Sequence, residues 1–358
     1  MGGDANVASR RDGRGLNAGG AAPTANHAPY NHRPLMRRLS SLTALVLLLA
    51  AAPAAAQDPA ASPPPPPAPP PAPAAAKLHI AAQKVGSDRA VLAGAPWRIV
   101  GKLDPATDGQ VVVVRLYSRG KKVAAKKAKV RAGRFVARFR MKNAASLAVR
   151  VVHRATPELG RASAGPLRFD VLPRKVEAGQ TGTAVKILQR HLRAKGYVTG
   201  RFGVMDGRTQ RAIIAFRKVA GMARTTSADR AMLARLARGG GTFRLRHPEV
   251  KGRHVEADLS RQVLVLAVGN KVERIYHTSS GAPGTPTVQG TFNFYLNGPG
   301  YNAKGMYFSK YFIRGYAIHG YASVPVFNAS HGCLRVPLDD AVSIYNWIQI
   351  GDRIDVYA

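Results

Sequence analysis

The sequence predicts a multi-domain chain, β-rich at both ends of its folded part and helical between them. Three observations carry this. The apolar period is about two from Lys77 to Leu172, changes to about 3.6 from Arg174 to Gly239, and returns to a strand pattern from Arg253 to Ala358. Turn pairs punctuate the first β stretch at short spacing, as at Asp104-Pro105, Asp108-Gly109, Arg119-Gly120 and Ala132-Gly133. A length of 358 residues suits several domains.

Taken in order, residues 1–35 are polar, rich in Gly and Arg and patternless, and read as disordered or as a mis-assigned start before Met36. Residues 36–56 hold the three parts of an export signal: the basic flank Met36-Arg37-Arg38, the apolar run Leu42 to Ala52, and the small-residue site Ala54-Ala55-Ala56. That run is shorter than the ~20 residues a spanning helix needs. Cleavage after Ala56, or retention as an anchor, places the body of the chain outside the cytoplasm, in the cell wall, periplasm or medium. The membrane is met only through this signal. Residues 57–76 are mostly Pro and Ala, a semi-rigid spacer.

Residues 77–172 carry four clear strand patterns: Trp97 to Val100, Gln110 to Tyr117, Arg134 to Phe139 and Leu147 to Val152. Their spacing suits a β-sandwich, similar to immunoglobulin-like (Ig-like) modules, with a spacer or adhesive role. In residues 174–239, Val185, Leu188 and Leu192 share one helical face and Ala212, Phe216 and Val219 another; a third helix follows at about Ala228 to Ala237. Gly179, Gly182, Val185, Leu188-Gln189, Leu192, Gly196-Tyr197, Thr209, Ala212 and Phe216 give this part a resemblance to the three-helix peptidoglycan-binding domain. Residues 240–252 are read as a linker, with Gly239-Gly240-Gly241 as a hinge.

In residues 253–358, strands are expected at Val255 to Asp258, Gln262 to Val268, Val272 to Thr278, Thr291 to Leu296 and Arg353 to Tyr357. Phe312 to His319 should form a strand that ends by presenting the imidazole. A helix after Pro337 has Asp339 and Asp340 in its first turn, Ala341, Tyr345 and Ile348 on its buried face, and Gly351 at its end.

The charge is extreme: 54 Lys and Arg against 19 Asp and Glu, a net +35. This asks for an anionic partner. No zinc-finger spacing, RNA-binding aromatic signature or basic-region heptad is present, and export speaks against nucleic acid; cell-wall polymers fit better.

The one cysteine, Cys333, stands in Ser330-His331-Gly332-Cys333-Leu334-Arg335. With no second cysteine it has no internal disulfide, so it is either inert and buried or used. Gly332 permits a tight turn, and His331 and His319 lie two and fourteen positions upstream. A thiol with an ordinary pKa of about 8.5 needs such a base to become a nucleophile near neutrality. Zinc ligation by His319, His331 and Cys333 is the other chemistry open to these residues, but it lacks finger spacing.

This last segment resembles the L,D-transpeptidase (YkuD-type) catalytic domain. The resemblance rests on Asp258-Leu259-Ser260-Arg261-Gln262, Ser279-Ser280-Gly281, Thr285-Pro286-Thr287, Gly290, Ile318-His319-Gly320 and Ser330 to Arg335. It implies a β-rich mixed sandwich with a C-terminal helix, and a cysteine acyltransferase needing no metal or cofactor. Cys333 would take the acyl group of a peptidoglycan tetrapeptide stem, releasing D-alanine, and pass it to the diamino acid of a second stem. His319 would be the base and the Gly320 carbonyl its orienter. The N–H groups of His331, Gly332 and Cys333 would serve the oxyanion, and Arg335 and Ser330 would touch substrate. Simpler roles stand beside these: Ser330 shaping the turn, His331 hydrogen-bonding behind the site, and Arg335 pairing with Asp339 or Asp340. Hydrolysis of the same acyl-enzyme (a carboxypeptidase) and a non-catalytic wall-binding protein are the alternative functions. The gap of residues 320–329 is short for this family, which implies a trimmed loop over the site.

Overall fold

The computed structural model describes Pro67 and residues 69–358. The signal, and all but the end of the Pro/Ala stretch, lie outside the described residues. That end is tied down: Ala74 exchanges backbone hydrogen bonds with Glu158 and Gly160.

Eight strands follow: β1 (Lys77–Gln83), β2 (Ala90–Leu92), β3 (Pro96–Asp104), β4 (Val111–Ser118), β5 (Lys121–Lys129), β6 (Arg134–Arg140), β7 (Ala145–His153) and β8 (Ala162–Leu172). They form two sheets, β1-β3-β6 and β2-β8-β7-β4-β5. The strict in–out alternation of β6 (Phe135, Ala137 and Phe139 buried) is what period two requires of a sheet with one wet face. Trp97 centres the core, stacked on Phe139 and edge-on to Phe169, both with centroids 4.8 Å away. The four strands expected here are present. Three of the four others, β1, β2 and β5, are sheet edges. Strand β5, KKVAAKKAK, buries one residue, and its lysines mask an edge that would otherwise pair with another chain.

Three helices come next: α1 (Thr183–Arg193), α2 (Gly207–Val219) and α3 (Arg230–Ala237). Asp206 and Asp229 cap the last two, accepting from the N–H groups of Thr209 and Met232 at 2.8 Å. The buried Gln189 amide organises the α1–α2 connection. It donates to the carbonyls of Arg201 and Val204 and to Thr209 Oγ1, and accepts from the N–H of Gly203.

The glycine run at 239–241 is not a hinge. Gly239 and Gly240 donate to carbonyls of α3, and Gly241 accepts from Tyr197 Oη at 2.6 Å. A Cβ on Gly241 would lie 2.1 Å from the Phe216 ring. Phe243, just beyond, is buried in the helical core.

The C-terminal segment holds β9 (Arg253–Asp258), β10 (Val263–Val268), β11 (Lys271–His277), β12 (Gly290–Asn293), β13 (Leu296–Tyr301), β14 (Tyr307–Ile313), β15 (Tyr316–Tyr321), β16 (Leu334–Pro337), α4 (Leu338–Trp347) and β17 (Arg353–Tyr357). The sheets are β11-β10-β9-β17-β12 and β13-β14-β15-β16. Strand β10 reads as an unbroken apolar run because both of its faces are covered. Leu264 and Leu266 pack toward the second sheet, Val263 and Val265 into the core of the three helices.

Three expectations are corrected. The strand at Thr291 to Leu296 is two strands, broken where Phe294 drops into the core and hydrogen-bonds to Asp352 and Gly351. His319 is in the middle of β15, not at its end, because the chain turns earlier, at Arg314-Gly315. Helix α4 ends at Trp347 and buries Ala341 and Ile344, and Ile348 is buried as expected, just past the helix end. Tyr345 is half-buried under Lys310, and Gly351, at φ +90°, makes the turn into β17.

Candidate active site

Strands β15 and β16 run parallel with His319 opposite Arg335. This pairing brings residues 319–321 beside the turn that ends at Cys333. The turn is fixed from behind. Ser330 Oγ donates to the Cys333 carbonyl at 2.5 Å and accepts from the Gly332 N–H at 3.1 Å. Thr287 Oγ1 donates to the Gly332 carbonyl and accepts from the Gly281 N–H, and Thr285 Oγ1 donates to the Ser330 carbonyl. Gly332 is at φ +112°, and a Cβ there would stand 2.6 Å from the Tyr316 ring. Only glycine fits.

Ser330 is therefore a buried residue that shapes the turn, and it also lines the cavity that holds Cys333. It also removes the Gly332 N–H from the expected oxyanion donors, because Ser330 already holds it.

His319 is 3% exposed, with Nδ1 2.9 Å from the Gly320 carbonyl. A carbonyl only accepts, so Nδ1 carries the proton and Nε2 keeps its lone pair. Gly320 serves a second purpose. A Cβ on it would meet that of Ala341 at 2.7 Å, so glycine lets α4 close on β15.

Cys333 Sγ approaches the Gly315 carbonyl at 3.7 Å. Burial pushes the thiol pKa up, and a backbone hydrogen bond from Ala317 with the charges of Arg335 and Lys304 only partly offsets it. Burial lowers His319, against the Gly320 bond, and the Arg335 charge adds to the lowering. Both shifts favour a resting pair that is uncharged, neutral thiol beside neutral imidazole.

The two side chains open into one cavity of about 590 Å³. Lys304 and Arg335 line it, and no carboxylate does. Arg335 stacks 4.2 Å over the Tyr321 ring and donates to the Ala329 carbonyl. It does not pair with Asp339 or Asp340, which are held by Arg211 and Arg208 of α2. His331 is exposed at the rim, and its ring has no hydrogen bond among the described residues, so it does not act as a hydrogen-bonder behind the site. Asn302, Lys304 and Tyr311, from the β13–β14 hairpin, also line the cavity. The sequence carried no motif that singled them out. Among the described residues no group of three His, Cys, Asp or Glu is placed to hold a metal ion.

A thiol and an oriented imidazole share one cationic cleft, an arrangement chemically suited to acyl transfer. The comparisons give that chemistry a family. Residues 252–356 match the L,D-transpeptidase catalytic domain (YkuD), and residues 181–236 match a putative peptidoglycan-binding domain. An L,D-transpeptidase from Xylanimonas cellulosilytica is 33% identical, over 52% of this chain and 98% of that one, with a TM-score of 0.47. One from Stackebrandtia nassauensis is 21% identical over 52% and 96%, TM-score 0.33. One from Mycobacterium smegmatis is 13% identical over 78% and 99%, TM-score 0.27. No curated protein matches. The chain therefore carries an L,D-transpeptidase (YkuD) catalytic domain and, before it, a putative peptidoglycan-binding domain. Peptidoglycan is accordingly its substrate.

Proposed function

We propose that this is an exported cysteine L,D-transpeptidase that cross-links peptidoglycan stems through an acyl-enzyme on Cys333. The observation that carries the reading is the shared cavity of Cys333 and His319, with Nδ1 of the histidine fixed by Gly320 so that Nε2 is the free base.

Because burial keeps both groups neutral, the proton leaves sulfur for Nε2 as the attack proceeds. Sγ bonds to the carbonyl carbon before the terminal D-alanine of a tetrapeptide. The oxyanion takes the N–H groups of His331 and Cys333 that remain on the turn, donors worth about 3 kcal/mol each in comparable sites. The C–N bond then breaks, and the imidazolium gives its proton to the departing amine. In the second half, the side-chain amine of another stem's diamino acid attacks the thioester and loses a proton to His319, and sulfur leaves and is reprotonated. Arg335 and Lys304 suit a stem carboxylate. The Ig-like reading of the eight-stranded sandwich, and the meeting of the basic surface with anionic wall polymers, belong to the same proposal.

The test is incubation with a disaccharide-tetrapeptide and mass analysis. A cross-linked dimer with free D-alanine is expected; a bare tripeptide product would assign hydrolysis instead. Cys333→Ser should abolish both, since a base matched to a thiol does not activate a hydroxyl. The raised thiol and lowered imidazole predict an acylation rate that climbs with pH through a limb belonging to the pair. His319→Ala should lower it and move it alkaline, toward what an unassisted, desolvated thiol gives. A limb moved by His331→Ala and not by His319→Ala would identify the wrong histidine.

A further inference from the structure

Residues 322–329 connect β15, which carries His319, to the turn that carries Cys333, and have no regular secondary structure. Backbone carbonyls outside a ladder need other partners. Here side chains provide them. Val324 O accepts from His277 Nε2 at 2.9 Å, Val326 O from Arg224 at 2.8 Å, Phe327 O from Ser279 at 2.6 Å and Ala329 O from Arg335 at 3.2 Å.

Two of these four trace back to the helical segment. Arg224 follows α2 directly and also donates to the Ser260 carbonyl. His277 is held by Lys218 of α2. Its Nε2 must donate to the Val324 carbonyl, so its Nδ1 is an acceptor, and Lys218 Nζ meets it at 2.7 Å. The same Nζ donates to the carbonyls of Gln262 at 2.8 Å and Thr278 at 3.0 Å. Three acceptors match the three protons of an ammonium. Burial, with the Lys218 charge beside it, pulls His277 down to about 3, which keeps the ring in the neutral tautomer this relay requires.

Lys218 is 4% exposed and has no carboxylate within salt-bridge distance among the described residues. The charged and titratable neighbours it and His277 feel are each other, Arg224 and Arg211, all bases. Burial and the Arg224 charge lower the Lys218 pKa, while the three acceptors around Nζ favour the ammonium, the form that can donate to all of them. A buried basic group without a counter-charge carries a desolvation cost. Its three hydrogen bonds give it another use.

We propose that Lys218, acting through His277, and Arg224 are positioning residues: the peptidoglycan-binding helices clamp the segment 322–329 and so fix the spacing of His319 and Cys333. This rests on the reading of those two as base and nucleophile. The wall-binding helices are then part of the active-site framework, and not only a tether to the substrate.

The experiment compares the full chain with Lys218→Met and Arg224→Gln. Three quantities are read: melting temperature, amide hydrogen exchange of residues 322–329, and single-turnover acylation of Cys333 by a carbapenem, resolved into a saturation constant and a rate constant. Lys218→Met removes the cost of a buried charge but leaves the Gln262 and Thr278 carbonyls and His277 Nδ1 without a donor, so it should melt lower than the wild type. Its segment 322–329 should exchange at least about tenfold faster. Its acylation rate constant should fall about tenfold with a smaller change in the saturation constant, the signature of lost alignment. Arg224→Gln should act in the same direction, more weakly, and decides the matter should Lys218→Met fail to fold. Unchanged exchange and acylation overturn the proposal. So does a lower melting temperature with normal acylation, which would make Lys218 a packing residue. If wild-type Cys333 takes no label, the nucleophile reading falls, and the exchange comparison still decides the clamp.

Discussion

The sandwich of residues 77–172 and the three helices that follow it look alike in sequence, each a segment with its own period and its own turns. Their cores differ. The sandwich has a core of its own: Trp97, Leu103, Leu116, Phe135 and Phe169 belong to a cluster drawn from its own strands and their connections. The helices do not. Their cluster is completed on one side by Val263, Val265 and Ile275 from the catalytic sheet and on the other, more thinly, by Ala90 and Leu172 from the sandwich. Both borders of the helices are partly apolar; they differ in the extent of the shared core and in the polar contacts across it. Between sandwich and helices the prominent polar contacts are ion pairs, Asp170 with Arg190 and His191, and Asp88 with Lys195. Between helices and catalytic sheet the border is a shared apolar core, with Arg208, Arg211, Lys218 and Arg224 crossing it. A change of hydrophobic period marks a change of secondary structure; only the closure of a core marks an independently stable body.

The most severe way to break this comparison is to cut the chain. Residues 77–172 alone should melt cooperatively. Residues 174–239 alone should not, because the surface that meets Val263, Val265 and Ile275 would face water and about 65 residues bury too little to stand the loss. Calorimetry and circular dichroism on the two fragments decide it, and a sharp transition in the helical fragment would refute the shared core.

A gentler cut is a cavity. Leu116 and Leu188 are both fully buried, one in each cluster. Each Leu→Ala change should cost about 2–5 kcal/mol. Leu116→Ala should lower a transition of the sandwich alone. Leu188→Ala should lower the helices and the catalytic segment together, and with them carbapenem acylation at temperatures near that transition. If Leu188→Ala leaves the catalytic segment's melting unmoved, the two are not one folding unit.

What was legible beforehand follows the same physics. Strands with one apolar face declared themselves, such as Arg134 to Phe139. Strands β1 and β5 did not, because an edge buries little and β5 is mostly lysine, and β2 did not because three residues are too few to show a period. The thiol, the histidine and its orienting carbonyl could be named because each sits in a short local motif. The residues that hold Cys333 in place, Thr285 and Thr287, were visible only as turn chemistry, since their partners lie some 45 positions away. Lys304 and Tyr311 escaped altogether: a cavity wall from a hairpin has no sequence spacing to betray it. Likewise Gly239-Gly240-Gly241 looked like a flexible joint, but glycine serves close approach as readily as freedom, and here Phe216 takes the space.

The smallest expected effect probes the polar border. Asp170 accepts from Arg190, His191 and Ser146. Burial pushes its pKa up, but the hydrogen bonds from His191, Ser146 and Arg190 outweigh this and leave it below the ordinary 3.8. A carboxylate held low when folded stabilises the fold above its unfolded pKa, and that contribution is lost as pH falls through the folded value. Asp170→Asn should therefore lose little at neutral pH. The side chain of Arg190 is 46% exposed, so solvent screens the pair, and an asparagine oxygen can still accept from His191. A cost of about 1 kcal/mol or less is expected. The wild type should lose that margin on acidification below the carboxylate range, and the variant should not, so their melting temperatures should converge in acid. Protease sensitivity around residues 172–176 should rise modestly in the variant, with acylation of Cys333 unchanged. A loss of several kcal/mol, or a fall in acylation, would mean that the sandwich is as deeply built into the catalytic unit as the helices are, and the contrast between the two regions would disappear.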